Sequence, residues 1–198
     1  MAEPKCLFIL IGIDHYAKGD KLLNKDGARC RLRPLRGAVN DVRRFQDYIS
    51  QSPRLKDSKV WVLTSSRPKT GRASDPPEAP EQQPTYDNIV RVFGEAAEEV
   101  TKIGGGIVHI HFSCHGIQMK TNYPELKSAE GIDEAIAPWD ACRTGQPLRD
   151  VELSILIWRM TKNGARVSLF CDCCHASSVP RGMHISKNVL SEQILTMK

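Results

Sequence analysis

The sequence predicts an α/β fold in which a mostly parallel sheet carries helices on both faces. Apolar runs of strand length alternate with longer segments whose apolar residues recur at helical spacing. Parallel strands need crossovers that pack on the sheet, so this alternation favours a parallel sheet covered on both sides. With 198 residues, of which 40% are hydrophobic and 26% charged, the chain suits a single domain spanning residues 1–198.

The chain opens with a predicted strand and a predicted helix. The apolar run from Cys6 to Ile13 has the length of a buried strand. After a loop that contains Gly37, apolar side chains recur at helical spacing. They are Ala38, Val42, Phe45 and Ile49. A second short strand is predicted from Lys59 to Leu63.

A proline-rich segment at about residues 65–84 interrupts the alternation. Its prolines stand among polar residues at positions 68, 76, 77, 80 and 84. Because this composition cannot bury a core, we expect a loop or a disordered insertion within the domain.

The second half of the chain returns to helices and strands. Thr85 is placed to cap a helix. The apolar face of that helix contains Ile89, Val90, Phe93, Ala97 and Val100. The third strand is predicted from Ile107 to Ser113, and Asp150 is placed to cap a further helix. Gly164 would end that helix, and the fourth strand runs from Arg166 to about Asp172.

Two polar motifs close the third and fourth predicted strands. They are HFSCHG at residues 111–116 and FCDCCHAS at residues 170–177. The carboxyl ends of parallel strands form the active-site rim in open α/β sheets. A thiol acts as a nucleophile only as a thiolate, and a nearby imidazole can hold its proton and later return it. We therefore interpret Cys174 as a nucleophile and His115 as its base.

With this order of elements, the chain resembles the metacaspases, the caspase-like cysteine peptidases of fungi, plants and protozoa. Family members typically carry Ser-Gly-His-Gly at the third strand and Asp-x-Cys-His-Ser-Gly at the fourth. Here the corresponding residues are SCHG at 113–116 and DCCHAS at 172–177. Residues 12–13, 35–41 and 131–140 also match the family pattern. The resemblance covers most of the chain and implies a caspase-like three-layer sandwich of the peptidase C14 type.

The resemblance also implies a cysteine-type endopeptidase that works through a Cys-His dyad and a thioester intermediate. Cys174 would be the nucleophile and His115 the general base and acid. The backbone amides of Gly116 and Cys174 would donate to the oxyanion, which stabilises the tetrahedral intermediate more than the ground state.

Substrate specificity follows from a second group of residues. Asp172 precedes Cys174 by two positions, so on an extended chain both side chains point the same way. The resemblance puts Asp41 and Ser113 in the same substrate-binding pocket. Two carboxylates select a cation, so we expect a peptide or protein substrate that is cleaved after Arg or Lys.

The resemblance further bears on the cofactor and on the C-terminal part of the fold. No cofactor is required by the dyad, and Ca²⁺ is a candidate activator near the acidic residues Asp133, Glu134, Asp140 and Asp150, without assigned ligands. Only 24 residues follow Cys174, too few for the two further strands of the family. We expect these C-terminal strands to be missing and the open edge to favour self-association or a separate small-subunit partner.

Two other classes of function compete with the peptidase. The first is an inactive caspase-like module that binds a partner through its incomplete sheet. The second is a zinc-binding or redox domain. A zinc site would use His109, His111, Cys171 and Cys173 as ligands, and a redox role would rest on Cys171, Cys173 and Cys174.

Charge, hydropathy and cysteine usage restrict partners and location. The net charge of +5 is modest, and the arginine cluster at residues 29–36 lacks the aromatic residues of a nucleic-acid surface. The early apolar run, Leu7 to Ile13, is too short to cross a bilayer. The seven cysteines lack the spacing of a disulfide framework. We expect a cytoplasmic protein that binds neither nucleic acid nor membrane.

Overall fold

Four parallel strands form the central sheet. The computed structural model describes residues 5–69, 75–127 and 131–173. With elements numbered in chain order, the strands are β1 (Cys6–Ile13), β2 (Lys59–Ser65), β3 (Gly106–Ser113) and β7 (Ala165–Asp172). They lie side by side in the order β2-β1-β3-β7, and every neighbouring pair is parallel. The predicted parallel sheet is confirmed.

Helices cover both faces of this sheet. One face carries α1 (Ala38–Gln51), and the other carries α2 (Tyr86–Ile103) and α4 (Asp150–Thr161). Side chains of β1 alternate between two apolar clusters: Phe8 and Leu10 pack with α1, whereas Ile9 and Ile11 belong to the larger core with α2 and α4. Since strand side chains alternate between faces, both sides of β1 are apolar. The result is the three-layer sandwich expected from the sequence.

The helix starts show one confirmed cap and one correction. Thr85 caps α2 as predicted, because its hydroxyl accepts the Asn88 N–H at 3.1 Å. Asp150 does not occupy the N-cap position of α4; it is the first helical residue, and Arg149 precedes it as the cap. The carboxylate of Asp150 is instead ion-paired with Lys127, while Glu152 accepts the Arg149 N–H at 2.8 Å.

A small antiparallel sheet lies beside the central one. Its strands are β4 (Gly116–Lys120), β5 (Ile132–Ile136) and β6 (Leu148–Arg149), in the order β4-β5-β6, and the short helix α3 (Ala141–Thr144) connects the last two. The hydrophobic periodicity did not predict these elements. β4 begins three residues after β3 ends, so the small sheet starts next to the HFSCHG motif.

The proline-rich segment packs against the body of the protein in its described part. The carboxylate of Glu78 accepts the Ser66 N–H at 3.0 Å. A short 3₁₀ turn spans Pro80–Gln82, and the carbonyl of Pro84 accepts the Trp139 N–H at 2.9 Å. These bonds fix both ends of the segment.

Within residues 5–69, 75–127 and 131–173, no helix is both long enough and apolar enough to cross a bilayer.

Candidate active site

The candidate site lies where the carboxyl ends of β1, β3 and β7 meet. In the sheet register Gly12 pairs with Ser113, and Ser113 pairs with Asp172. His115 follows directly after β3, and Tyr16 follows β1. The topology thus places the end of the first motif between two other strand ends, as the α/β prediction requires.

The imidazole of His115 is oriented by a backbone carbonyl. Its Nε2 lies 2.7 Å from the carbonyl oxygen of Arg33. Since a carbonyl only accepts hydrogen bonds, Nε2 must carry the proton in the neutral ring. The lone pair is then on Nδ1, the nitrogen available to take a proton from a thiol.

Tyr16 holds the other side of the histidine. Its hydroxyl accepts the His115 N–H at 2.8 Å, and the two rings pack with centroids 5.3 Å apart. Burial raises the pKa of Tyr16 well above its usual range, and the neighbouring Cys114 thiol raises it further. The hydroxyl therefore stays protonated at neutral pH and acts as a fixed dipole next to the backbone of His115.

The backbone of Gly116 presents its N–H away from the small sheet. Gly116 pairs with Ile136 in the antiparallel ladder, and Ala137 N–H donates to the carbonyl of His115 at 3.0 Å. This bond identifies Gly116 and Ile136 as a non-hydrogen-bonded pair, whose N–H groups point outward. Because β4 is the outer strand of its sheet, the Gly116 N–H points to the side opposite β5.

Two carboxylates and a hydroxyl lie close together on the α1 side of the sheet. The hydroxyl of Ser113 donates to Oδ2 of Asp41 at 3.3 Å, and Asp172 is the partner of Ser113 in β7. Burial lowers the pKa of the neighbouring His111, and Asp41 and Asp172 partly offset that effect. The structure therefore brings Asp41, Ser113 and Asp172 together at the end of β3.

Close approach of α1 to β1 sets the position of Asp41. A Cβ on Gly12 would lie 2.6 Å from the carbonyl oxygen of Ala38, so only glycine fits there. Oδ1 of Asp14 accepts the Ala38 N–H at 3.0 Å and fixes the first turn of the helix. Asp41, one turn further on, is thereby held beside the end of β3.

Cys174, the predicted nucleophile and second oxyanion donor, lies outside the described residues. His115, Gly116, Asp41, Ser113 and Asp172 are described, and the preceding Cys173 is the last described residue of the chain.

The strand geometry excludes the four-residue zinc site considered from the sequence. His109 and His111 pack on the α1 side, where His109 stacks on Phe8 and His111 packs against Phe45. Cys171 and Cys173 pack on the opposite side, against the core beneath α2 and α4. Four ligands on two faces of a sheet cannot share one ion. Among the described residues no cluster of metal-binding side chains is present.

The acidic group considered for Ca²⁺ already has cationic partners. Asp133 is ion-paired with Arg149 and lies 3.5 Å from the ammonium of Lys127, which also pairs with Asp150. Asp140 is used elsewhere, since its Oδ1 accepts the Tyr86 N–H at 3.1 Å. A calcium ion needs several free oxygen ligands. Lys127 and Arg149 already neutralise two of the four acidic residues, Asp133 and Asp150.

Sequence reasoning missed two groups at the site, the carbonyl of Arg33 and the hydroxyl of Tyr16. A backbone carbonyl leaves no signal in the identity of its residue. Tyr16 could have been identified from the sequence. It belongs to a polar stretch after β1, and such stretches lie at the carboxyl edge of the sheet.

The chain is similar in sequence to known proteins along most of its length. The family model described as "Metacaspase, peptidase C14 domain" matches residues 8–181. Metacaspase-1B of Neurospora crassa is 26% identical over 170 residues, and Metacaspase-1 of Mycosarcoma maydis is 27% identical over 170 residues. Both alignments cover 86% of this chain but 33% and 35% of those relatives. The chain thus spans about one third of the length of the curated relatives it matches.

A solved structure shares the fold. Protein GSU0716 from Geobacter sulfurreducens matches with a TM-score of 0.58 over 89% of this chain and 53% of that chain. The sequence identity is 20%, so this likeness concerns the fold alone.

Proposed function

Because the chain belongs to the metacaspase family of C14 peptidases, we propose that it acts as a cysteine endopeptidase that cleaves after Arg or Lys. The observation that carries the proposal is the orientation of His115. Its Nε2 is engaged by the Arg33 carbonyl, which leaves Nδ1 as the base. The family match extends through the second motif to residue 181 and so includes Cys174.

The proposed nucleophile is constrained by chain connectivity. The N–H of Cys114 donates to the carbonyl of Asp172 at 3.3 Å, so Cys173 follows opposite Cys114. Cys174 is the next residue in the sequence. His115 is likewise one residue beyond Cys114. This supports a dyad at the two strand ends.

The proposed reaction uses these groups in order. The proton of the Cys174 thiol moves to Nδ1 of His115, and the thiolate attacks the scissile carbonyl carbon. The N–H of Gly116 and that of Cys174 donate to the oxygen on which negative charge develops. His115 then gives its proton to the leaving amine, and water hydrolyses the thioester.

Basic specificity is supported by the acidic pocket. Asp41 and Asp172 lie on either side of Ser113, and no described lysine or arginine forms an ion pair with either carboxylate. Carboxylates so placed can hold the guanidinium of an arginine bidentately, whereas they would repel an aspartate.

We propose that the reaction needs no cofactor and proceeds without Ca²⁺. The support is the neutralisation of Asp133 and Asp150 by Lys127 and Arg149. A cytoplasmic location remains part of the proposal, supported by the seven cysteines, whose spacing is not that of a disulfide framework.

A partner for β7 is also proposed. Within the described ranges β7 ends the strand order, with β3 as its neighbour. On its α1-side face Phe170 is 53% exposed. An outer edge beside an apolar side chain favours pairing with another strand, either from a second copy or from a separate small subunit.

The test uses fluorogenic peptides that end in Arg, Lys or Asp, each with and without calcium. We expect cleavage after Arg and Lys only. Cys174→Ala and His115→Ala should lose it, the latter by about 10²- to 10⁴-fold, while Cys171→Ala serves as the matched control and keeps it. Asp172→Asn should weaken cleavage after Arg and Lys.

Two outcomes would contradict the proposal. A preference for the Asp peptide would refute the pocket assignment, and cleavage by Cys174→Ala would refute the dyad. A protein that melts cooperatively yet cleaves none of the peptides would favour the inactive interaction module instead.

A further inference from the structure

Three cysteines converge beside the candidate site without a part in the proposed reaction. Cys114 is buried, and Cys171 and Cys173 are partly buried against the same core under α2 and α4. Cys171 and Cys173 stand two positions apart in sequence, so their side chains share one face of the strand. Cys114 shares that face because it is two positions after Phe112, the strand partner of Cys171.

The register places Cys114 and Cys173 directly opposite each other. Ser113 pairs with Asp172, and the Cys114 N–H continues the ladder to the Asp172 carbonyl at 3.3 Å. Neighbouring strands lie about 4.7–4.9 Å apart. A disulfide needs Cα atoms about 4.4–6.8 Å apart. The pair therefore meets the distance requirement without movement of the sheet.

We propose that Cys114 and Cys173 form a thiol-oxidation site, in which a peroxide converts the two thiols into a disulfide between the ends of β3 and β7. The site is distinct from the proposed peptidase chemistry. It would tie together the two strands that lead to His115 and Cys174.

Hydrogen bonds within the cluster identify the thiol that reacts first. A hydrogen bond to Cys173, together with burial, raises the pKa of Cys114 and that of Cys171. Both outer thiols therefore keep their protons and donate them toward Cys173. A thiolate on Cys173 would be stabilised by these two S–H donors, so we assign Cys173 as the thiol that attacks the peroxide.

The proposed chemistry balances in two steps. The Cys173 thiolate attacks one peroxide oxygen; an S–O bond forms, the O–O bond breaks, and hydroxide leaves and is protonated to water. The Cys114 sulfur then attacks the sulfenic sulfur. An S–S bond forms, the S–OH bond breaks, and a second water leaves with the Cys114 proton. Two thiols are oxidised and one hydrogen peroxide is reduced to two waters.

The experiment detects the Cys114–Cys173 disulfide directly. It uses a Cys174→Ala protein, because the proposed nucleophile then cannot react in place of Cys173. The same substitution removes any effect of peptidase activity. After treatment with hydrogen peroxide and alkylation, trypsin separates the two thiols on peptides 103–120 and 167–181. We expect these peptides to be joined and lighter by two hydrogen atoms than their sum. Further substitution of Cys173 or Cys114 by alanine should abolish the link, and Cys171→Ala, the matched control, should keep it.

Several outcomes would overturn the proposal. These are no joined peptide, a link within peptide 167–181 between Cys171 and Cys173, or an equal yield from protein unfolded in urea before oxidation. The last would mean that the fold does not select the pair. If an alanine variant loses its cooperative melt, Cys173→Ser replaces it, with the same expected loss of the link.

Discussion

Replacing Lys127 should destabilise the protein far more than replacing an exposed lysine. Its ammonium pairs with Asp150 and lies 3.5 Å from Oδ1 of Asp133. The Lys127 side chain is only 16% exposed, and those of the carboxylates are 0% and 6% exposed. After Lys127→Ala, Arg149 still neutralises Asp133. Asp150 loses its cation and remains as a buried charge.

The magnitude follows from the burial of these charges. Removal of one partner of a buried ion pair costs about 3–5 kcal/mol. We expect a value near 3 kcal/mol for Lys127→Ala, because Arg149 compensates one of the two carboxylates. Lys25→Ala is the matched control. Its pair with Asp26 is 44% and 66% exposed, and an exposed pair contributes about 0–1 kcal/mol.

The assay is urea unfolding followed by circular dichroism, with the free energy of unfolding taken by linear extrapolation. A double variant, Lys127→Ala with Asp150→Asn, removes both charges and should be less destabilised than the sum of the single variants. A loss for Lys127→Ala no larger than that for Lys25→Ala would refute the reasoning. Strict additivity in the double variant would refute it as well.

Two further predictions concern packing and pH. Gly12→Ala should lower the free energy of unfolding by about 1–3 kcal/mol, because its Cβ would lie 2.6 Å from the Ala38 carbonyl oxygen. Gly94→Ala in α2 meets no atom within 4 Å and should raise stability by up to about 1 kcal/mol; equal effects in urea unfolding would contradict the steric argument. Burial lowers the pKa of His109, so the unfolded chain binds more protons below its ordinary pKa of about 6.5. The free energy of unfolding should therefore fall as the pH falls through that value, and it should fall less in His109→Gln. An unchanged pH dependence of stability in His109→Gln would contradict this prediction.

The parallel sheet could be predicted from the sequence because β1, near its centre, is buried on both faces. The predicted and observed bounds of β1 are the same, Cys6 to Ile13, and β7 begins one residue before the predicted start. A continuous apolar run is enough to identify such a strand.

The small antiparallel sheet could not be predicted in the same way. β5 carries Asp133 and Glu134 in its centre, so its pattern reads as polar. Asp133 is nevertheless fully buried, because Arg149 in β6 and Lys127 before β5 neutralise it. That compensation depends on side chains that meet only in the folded chain.

Some parts of the candidate site could be predicted from the sequence, and others could not. Ser113 and Asp172 end predicted strands and His115 follows one, so their convergence could be inferred from the topology of parallel strands. The group that orients the imidazole is the carbonyl of Arg33, 82 residues earlier in the chain. It belongs to a loop, and loop paths are set by tertiary contacts rather than by periodicity.

The strand order also determines when each part of the molecule can form during synthesis. β1 is made first and lies between β2 and β3. Once the ribosome has released the chain as far as Ser113, both edges of β1 can be filled. β7 joins the remaining edge of β3 only after some fifty more residues, and it brings Asp172 and Cys173 with it. A nascent chain therefore carries His115 well before it holds the thiols that follow β7, so the parts of the proposed dyad can meet only after residue 174 has been made.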